Sequence, residues 1–283
     1  MKLVVTSIAA AFAVAATVAA AGAHANGSPY SPGLVQGSDG VHTSTAPVRY
    51  VALGTERSTI VAAIRLRGGR VMRSRILRGI WGIPIVSYDG STGGISGDGR
   101  TLVVASYGPL PGEPGTTSFT VLAAKSFKKL RTVKLEGAWS YDAISPDGSR
   151  VYLIEHLSAG PNPRYRVRVF DLRAGRLLSQ SVIDKAASEA IMRGQPATRA
   201  SSADGRWAYT LYARQKHAPF VHALDTARRQ AYCIDLPLDL GQPQQMALRL
   251  KVGAGGRELI VRKGGTRVAT MNTKTFVVRA EES

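Results

Sequence analysis

Polar and apolar residues alternate along much of the chain, with short turns between the runs. Tyr165-Arg166-Val167-Arg168-Val169-Phe170 and Pro219-Phe220-Val221-His222-Ala223-Leu224 alternate strictly. Successive side chains of a strand point to opposite faces, so this pattern predicts half-buried β-strands. Thr101-Leu102-Val103-Val104-Ala105 and Val151-Tyr152-Leu153-Ile154 are apolar strands of the same length class. Helical periodicity is scarce: Lys185 to Met192 is the one candidate, between two groups of strands.

The strands fall into an internal repeat marked by a recurring turn. It appears as Ser96-Gly97-Asp98-Gly99-Arg100, Ser145-Pro146-Asp147-Gly148-Ser149-Arg150 and Ser202-Ala203-Asp204-Gly205-Arg206. Gly253-Ala254-Gly255-Gly256-Arg257 is a worn fourth copy. The spacing is about 50 residues, a period typical of propellers and solenoids. Asp-Gly between two strands supplies the positive φ angles of a tight hairpin.

Each unit has a short strand before this turn, such as Tyr141 to Ile144, and an apolar strand after it. An alternating third strand follows, then a polar turn, Asp171 to Gly175 or Asp225 to Arg229. A fourth strand leaves that turn, Arg176 to Ile183 or Gln230 to Leu236. The first unit is less regular: Arg49 to Leu53, Thr59 to Leu66 and Arg70 to Leu77 are strands, with Asp39-Gly40 as a displaced hairpin turn. Four antiparallel strands per unit make a propeller blade. The predicted fold is all-β, a β-propeller of about five four-stranded antiparallel blades. It occupies residues 35–283 after a linker at 26–34, with units at about 35–79, 80–135, 136–184, 196–240 and 245–280. Closing the ring would protect the sheet edges, with Val35 to Thr45 or Phe276 to Ala280 completing a blade.

The S-x-D-G-R turn with its apolar strand, and the runs "VFDLRAGRLLSQSVI", "HALDTARRQAYCIDL" and "VLAAKSFKKLRTVKL", resemble secreted bacterial β-propellers of the YVTN and WD40-like type. The resemblance spans about residues 35 to 280 and speaks to fold more than to function. Those families commonly have six or seven blades, whereas five units fit here. The resemblance implies that the inner Asp-Gly turns are scaffold, and that the opposite face gathers the irregular loops around a channel.

Residues 1 to 25 read as a secretory signal: Lys2, an apolar run from Leu3 to Ala21, and Ala23-His24-Ala25 as the cleavage site. The expected location is secreted or periplasmic, with no transmembrane helix in the mature chain. The single cysteine, Cys233, excludes an internal disulfide framework and a thiolate zinc cluster. No metal site and no cofactor are expected. The net charge of +18 carries more information. Arg65, Arg67, Arg70, Arg73, Arg75 and Arg78 crowd one hairpin with no acidic residue between Arg57 and Tyr88. This basic edge would attract an anionic cell-wall polymer, a lipid surface or a protein partner. No aromatic residue is interleaved with it, which argues against single-stranded nucleic acid.

Irregular loops on a rigid frame are where function gathers. Trp81, Tyr107, Trp139, Glu155, His156, Tyr212 and Arg214 fall at strand ends or loops on the expected loop face. They are the candidate ligand-binding set, a polar pair beside an aromatic floor; the same residues would also serve to satisfy loop backbone and pack between blades. The leading expectation is a non-enzymatic binding module at the cell envelope or outside the cell. Alternatives are a propeller hydrolase, a lactonase or glycan-active enzyme using Glu155 and His156 as its acid-base pair, and a structural envelope protein that assembles with a partner. No catalytic serine context accompanies the few histidines.

Overall fold

The computed structural model describes residues 31–43, 46–160, 162–184 and 190–281; the segment 1–25 read as a secretory signal lies outside them. Among the described residues the chain forms five successive antiparallel sheets whose strands pair mainly with their sequence neighbours, and a small two-stranded sheet in which Leu34–Val35 pairs with the distant Ile83–Pro84. The first sheet contains Gly40–Val41, Val48–Gly54, Ser58–Arg65 and Val71–Arg78. The second has Thr101–Ala105, Thr116–Ala123 and Lys129–Glu136, with Ile95 bridging Leu102 where an inner strand would lie. The third runs Trp139–Ile144, Arg150–His156, Arg164–Asp171 and Arg176–Val182, and Met192–Arg193 adds to the end of Arg164–Asp171. The fourth is Gln195–Ser201, Trp207–Ala213, Phe220–Asp225 and Gln230–Asp235; the fifth is Leu248–Val252, Glu258–Lys263, Thr266–Asn272 and Val278–Ala280. Sequential four-stranded antiparallel sheets with apolar faces turned to one another make this a β-propeller of about five blades.

The core lies between the sheets. Val61, Ala63, Leu102, Leu122 and Phe127 join the first to the second, and Val103, Val121, Leu153 and Phe170 the second to the third. Tyr152, Val169 and Leu224 join the third to the fourth, while Leu211, Val221, Leu259 and Met271 join the fourth to the fifth. Full burial of each valine, leucine, methionine or phenylalanine among them contributes about 1.5–3 kcal/mol. With no disulfide available, these interfaces hold the frame together.

The repeated turn explains its own residues. Gly99, Gly148, Gly205 and Gly256 have φ of 68°, 67°, 72° and 70°, a left-handed conformation that glycine adopts without strain. The aspartate before three of these glycines has negative φ, so the expected hairpin with two positive φ angles is replaced by a four-residue loop. The aspartate works through its side chain instead. Asp98 Oδ1 accepts from the Ser96 hydroxyl at 2.6 Å and the Arg100 N–H at 2.9 Å, while Ser96 Oγ accepts from the Thr101 N–H at 3.0 Å. Ser145 with Asp147, and Ser202 with Asp204, repeat this network. Ser87-Tyr88-Asp89-Gly90-Ser91 is a further copy that the repeat search passes over, with Asp89 Oδ1 accepting from the Ser87 and Ser91 hydroxyls.

Three expectations change. Asp39-Gly40 forms no hairpin turn, because Gly40–Val41 is itself the inner strand of the first sheet. At the start of the described chain Leu34–Val35 pairs with Ile83–Pro84 beside the second sheet, and Gly40–Val41 is the inner strand of the first; Val278–Ala280 is the outer strand of the fifth, and no sheet combines strands from both ends. The helix candidate at Lys185 to Met192 is not what is seen: 185–189 lie outside the described residues and Met192–Arg193 is extended. The short α-helix is instead Gln242–Met246, where proline near its start suits the first turn. Among the described residues no helix is long and apolar enough to cross a membrane.

Candidate functional site

A cleft of about 660 Å³ opens between the third and fourth sheets. Its floor and walls combine Phe220 and Met192 with Arg193, Arg214, Lys216 and His217. Arg214 follows the buried strand Trp207–Ala213, which projects its side chain from a rigid base. Its guanidinium is held three ways: Nε donates to the Ala218 carbonyl at 2.7 Å, Nη2 meets Asp235 Oδ1 at 2.6 Å, and the group lies 5.0 Å over the Phe220 ring. Phe220 in turn stacks on Tyr212 at 5.2 Å, and Tyr212 on Tyr165 at 5.6 Å. Tyr212, expected at a strand end or loop, lies near the end of Trp207–Ala213 and is a buried link in this aromatic column, 1% exposed.

Glu155 and His156 do not form a pair. Neighbours in one strand, they leave opposite faces of the third sheet. Glu155 faces the second sheet and is clamped by Arg166 at 2.6 and 2.8 Å and by Arg168 at 2.8 Å. Burial alone would raise its carboxyl, but the two guanidiniums outweigh that and hold it below its ordinary value. A carboxylate so held stays ionised and keeps no proton to donate near neutral pH. His156 faces the fourth sheet beside Tyr165, with Nε2 2.8 Å from the Ser140 hydroxyl. Burial pushes its imidazole down to about 4. The acid-base arrangement imagined for a hydrolase is therefore absent at these two residues.

Trp81 and Trp139 sit at equivalent points where the chain leaves the first and second sheets for the next, each with its indole N–H bound to a backbone carbonyl. Trp139 and Tyr107 line a small cavity of about 80 Å³ between the second and third sheets, well apart from the Arg214 cleft in the fold. Tyr107 is 55% exposed. The seven candidates thus divide among different places: Arg214 lines the cleft, Tyr212 supports it and shares a small space with the buried His156, Tyr107 and Trp139 share another cavity, and Glu155 and Trp81 serve strand ends.

The basic hairpin lies where expected, on the outer strands of the first sheet. Arg65, Arg67, Arg70, Arg75 and Arg78 are exposed. Arg73 turns inward, donating to the Ala124 carbonyl at 2.9 Å and lying 5.4 Å over Phe127. No described acidic residue forms a salt bridge with any of the six.

Sequence reasoning missed Met192, Arg193, Lys216 and Phe220 as cleft residues. The available signals were the irregular connections Asp184 to Thr198, which holds Met192 and Arg193, and Arg214 to Ala218, which holds Lys216, since irregular loops on a rigid frame carry function; Phe220, in a strand, gave none. Cys233 also reaches this cleft. Burial, then the charges of Asp184 and Asp235, push its thiol up to about 12. Among the described residues, no three His, Cys, Asp or Glu side chains gather as metal ligands.

No protein-family model and no curated protein matches the chain. Solved structures are similar at low identity. Hydrazine synthase from Kuenenia stuttgartiensis shares 15% identity over 85% of this chain and 80% of that one, with a TM-score of 0.44. A functionally unknown protein from Desulfotomaculum acetoxidans shares 14% over 86% and 68%, with a TM-score of 0.48. BamB from Moraxella catarrhalis shares 15% over 87% and 66%, with a TM-score of 0.43. The propeller assignment rests on the sheets themselves.

Proposed function

We propose that the chain is an exported β-propeller binding module of the YVTN and WD40-like type, which takes an acidic segment of a partner protein in the cleft between its third and fourth sheets. The carrying observation is the pose of Arg214, fixed by Ala218, Asp235 and Phe220 at the wall of that cleft. A guanidinium already ordered loses little entropy on binding, which favours recognition of a carboxylate. Lys216, His217 and Arg193 add donors around it, and Phe220 with Met192 offers apolar contact. Asp235 neutralises part of the Arg214 charge, so an incoming carboxylate competes with a carboxylate that is 74% exposed. The leader at 1–25 supports export, and the overall +18 charge favours encounter with acidic surfaces.

Fluorescence anisotropy with a labelled Glu-rich heptapeptide carrying one phenylalanine, and with its Lys-rich counterpart, tests this reading. The acidic peptide should bind and the basic one should not. Arg214→Gln should weaken binding about tenfold, equivalent to 1.4 kcal/mol, whereas Glu155→Ala and His156→Ala should not. Equal binding of both peptides, or indifference to Arg214→Gln, would defeat it.

A further inference from the structure

Residues 65–72, Arg65-Leu66-Arg67-Gly68-Gly69-Arg70-Val71-Met72, carry the chain around the turn between the two outer strands of the first sheet. All eight are exposed. The Arg65 N–H donates to the Arg70 carbonyl at 2.9 Å and closes the turn. Gly68 and Gly69 have φ of 78° and 62°, and a Cβ on either would meet nothing within 4 Å. The tip therefore projects from the blade into open space.

Single exposed apolar side chains are ordinary on a protein surface, but clustered ones mark a contact. Of the twelve large apolar side chains exposed among the described residues, five fall within residues 66–80. Three belong to the turn: Leu66 is 45% exposed, Val71 56% and Met72 39%. Arg65, Arg67 and Arg70 stand among them, and Arg75 and Arg78 follow along the outer strand. With no acidic residue between Arg57 and Tyr88, the charge here has one sign. Two such turns brought together would repel, which disfavours a second copy of the chain as the occupant.

The complement of this turn is negative at its surface and apolar just beneath. An anionic bilayer is layered in that way, with phosphates over hydrocarbon. Arginine suits the boundary, because its stem lies along apolar surface while the guanidinium stays with the phosphates. An acidic protein segment would match the charge but would need a concave apolar seat for a projecting tip, whereas a fluid bilayer deforms around it.

We propose that the turn at 65–72 inserts Leu66, Val71 and Met72 into the interface of an anionic phospholipid bilayer, with Arg65, Arg67 and Arg70 held at the phosphates. Attraction of the arginines alone would leave the chain above the headgroups; insertion is the further step. This contact is independent of the acidic-peptide reading, since none of the eight residues lines the Arg214 cleft.

An environment-sensitive fluorophore separates insertion from adhesion. In the full chain carrying Cys233→Ser, the dye NBD is attached through Val71→Cys or, as a control in an exposed turn of the fifth sheet, through Lys274→Cys. With phosphatidylglycerol vesicles the label at 71 should brighten and shift to the blue, while the label at 274 keeps its emission in water. Phosphatidylcholine vesicles and soluble poly-glutamate should leave both labels unchanged. Adding Leu66→Asn and Met72→Asn, at exposed positions where substitution barely affects folding, should abolish the response at 71. A label at 71 that stays as in water on phosphatidylglycerol vesicles overturns the proposal. So does an equal response to phosphatidylcholine or to poly-glutamate, the latter assigning the turn to an acidic polymer or protein, and so does a response that survives the two asparagines.

Discussion

Trp81 and Trp139 make the same set of hydrogen bonds one repeat apart. The Trp81 N–H donates to Thr59 Oγ1 at 2.8 Å and the Trp139 N–H to Thr117 Oγ1 at 3.2 Å. Each threonine hydroxyl passes its own proton to a glycine carbonyl, Gly79 at 3.0 Å or Gly137 at 2.8 Å. Each indole closes back on the carbonyl three residues earlier, Arg78 or Glu136. The tryptophans therefore staple the outer strand of one blade to the chain entering the next.

Removing the hydroxyl of this staple leaves a donor and an acceptor without partners at a buried position. Thr117→Val should destabilise the protein by about 1–3 kcal/mol, read as a lower urea midpoint with unchanged slope. Binding of the acidic peptide should not change. An unchanged midpoint would show that the staple carries no stability.

Stability should fall on acidification in two stages. His156 and His222 are buried with pKa values pushed down to about 4 from an ordinary 6.5, so the unfolded chain takes up protons first. Stability is full above pH 6.5 and declines as pH drops toward 4, by on the order of 2 kcal/mol per histidine. Below the ordinary carboxylate range a second loss begins. For Asp147, burial alone would raise the carboxyl, but hydrogen bonds from Ser145 and Ser149 dominate and hold it at about 2. Glu155 behaves alike through its arginines. Denaturant titrations between pH 7 and 4 should show a shallower slope in His222→Phe; an unaltered slope would contradict the assignment.

Cys233 should react slowly despite its exposed position. With its thiol raised to about 12, little thiolate exists at neutral pH. Alkylation by iodoacetamide at pH 8 should run about 100-fold slower than for a free thiol. Asp184→Asn combined with Asp235→Asn should speed it by removing two nearby negative charges; a rate like that of glutathione in the parent protein would refute this.

The rim arginines should govern salt-dependent adhesion and little else. Replacing Arg67, Arg70, Arg75 and Arg78 by glutamine should shift stability by no more than about 0.5 kcal/mol. Binding to anionic phosphatidylglycerol vesicles at low ionic strength should drop, and the difference should vanish at about 0.5 M salt as screening shortens the range of the charges. Equal vesicle binding by parent and variant would remove this hairpin as an anionic-surface site.

What the amino-acid order determined by itself was local: strand alternation, and the serine-aspartate-glycine turn whose every bond joins residues within five positions of one another. These needed no distant partner, so the blades could be drawn and roughly counted from the repeat. Cross-strand neighbours were beyond that reach. Adjacency suggested that Glu155 and His156 act together, yet strand pleating separated them, and register brought Arg166 and Arg168 to the glutamate instead. Likewise, the meeting of Asp142 with Arg199, and of Arg214 with Phe220 and Asp235, depends on how sheets stack and where their strands bulge. Tertiary structure decided both cavities, because each is lined by side chains from different strands or sheets whose positions relative to one another are set only once the blades pack.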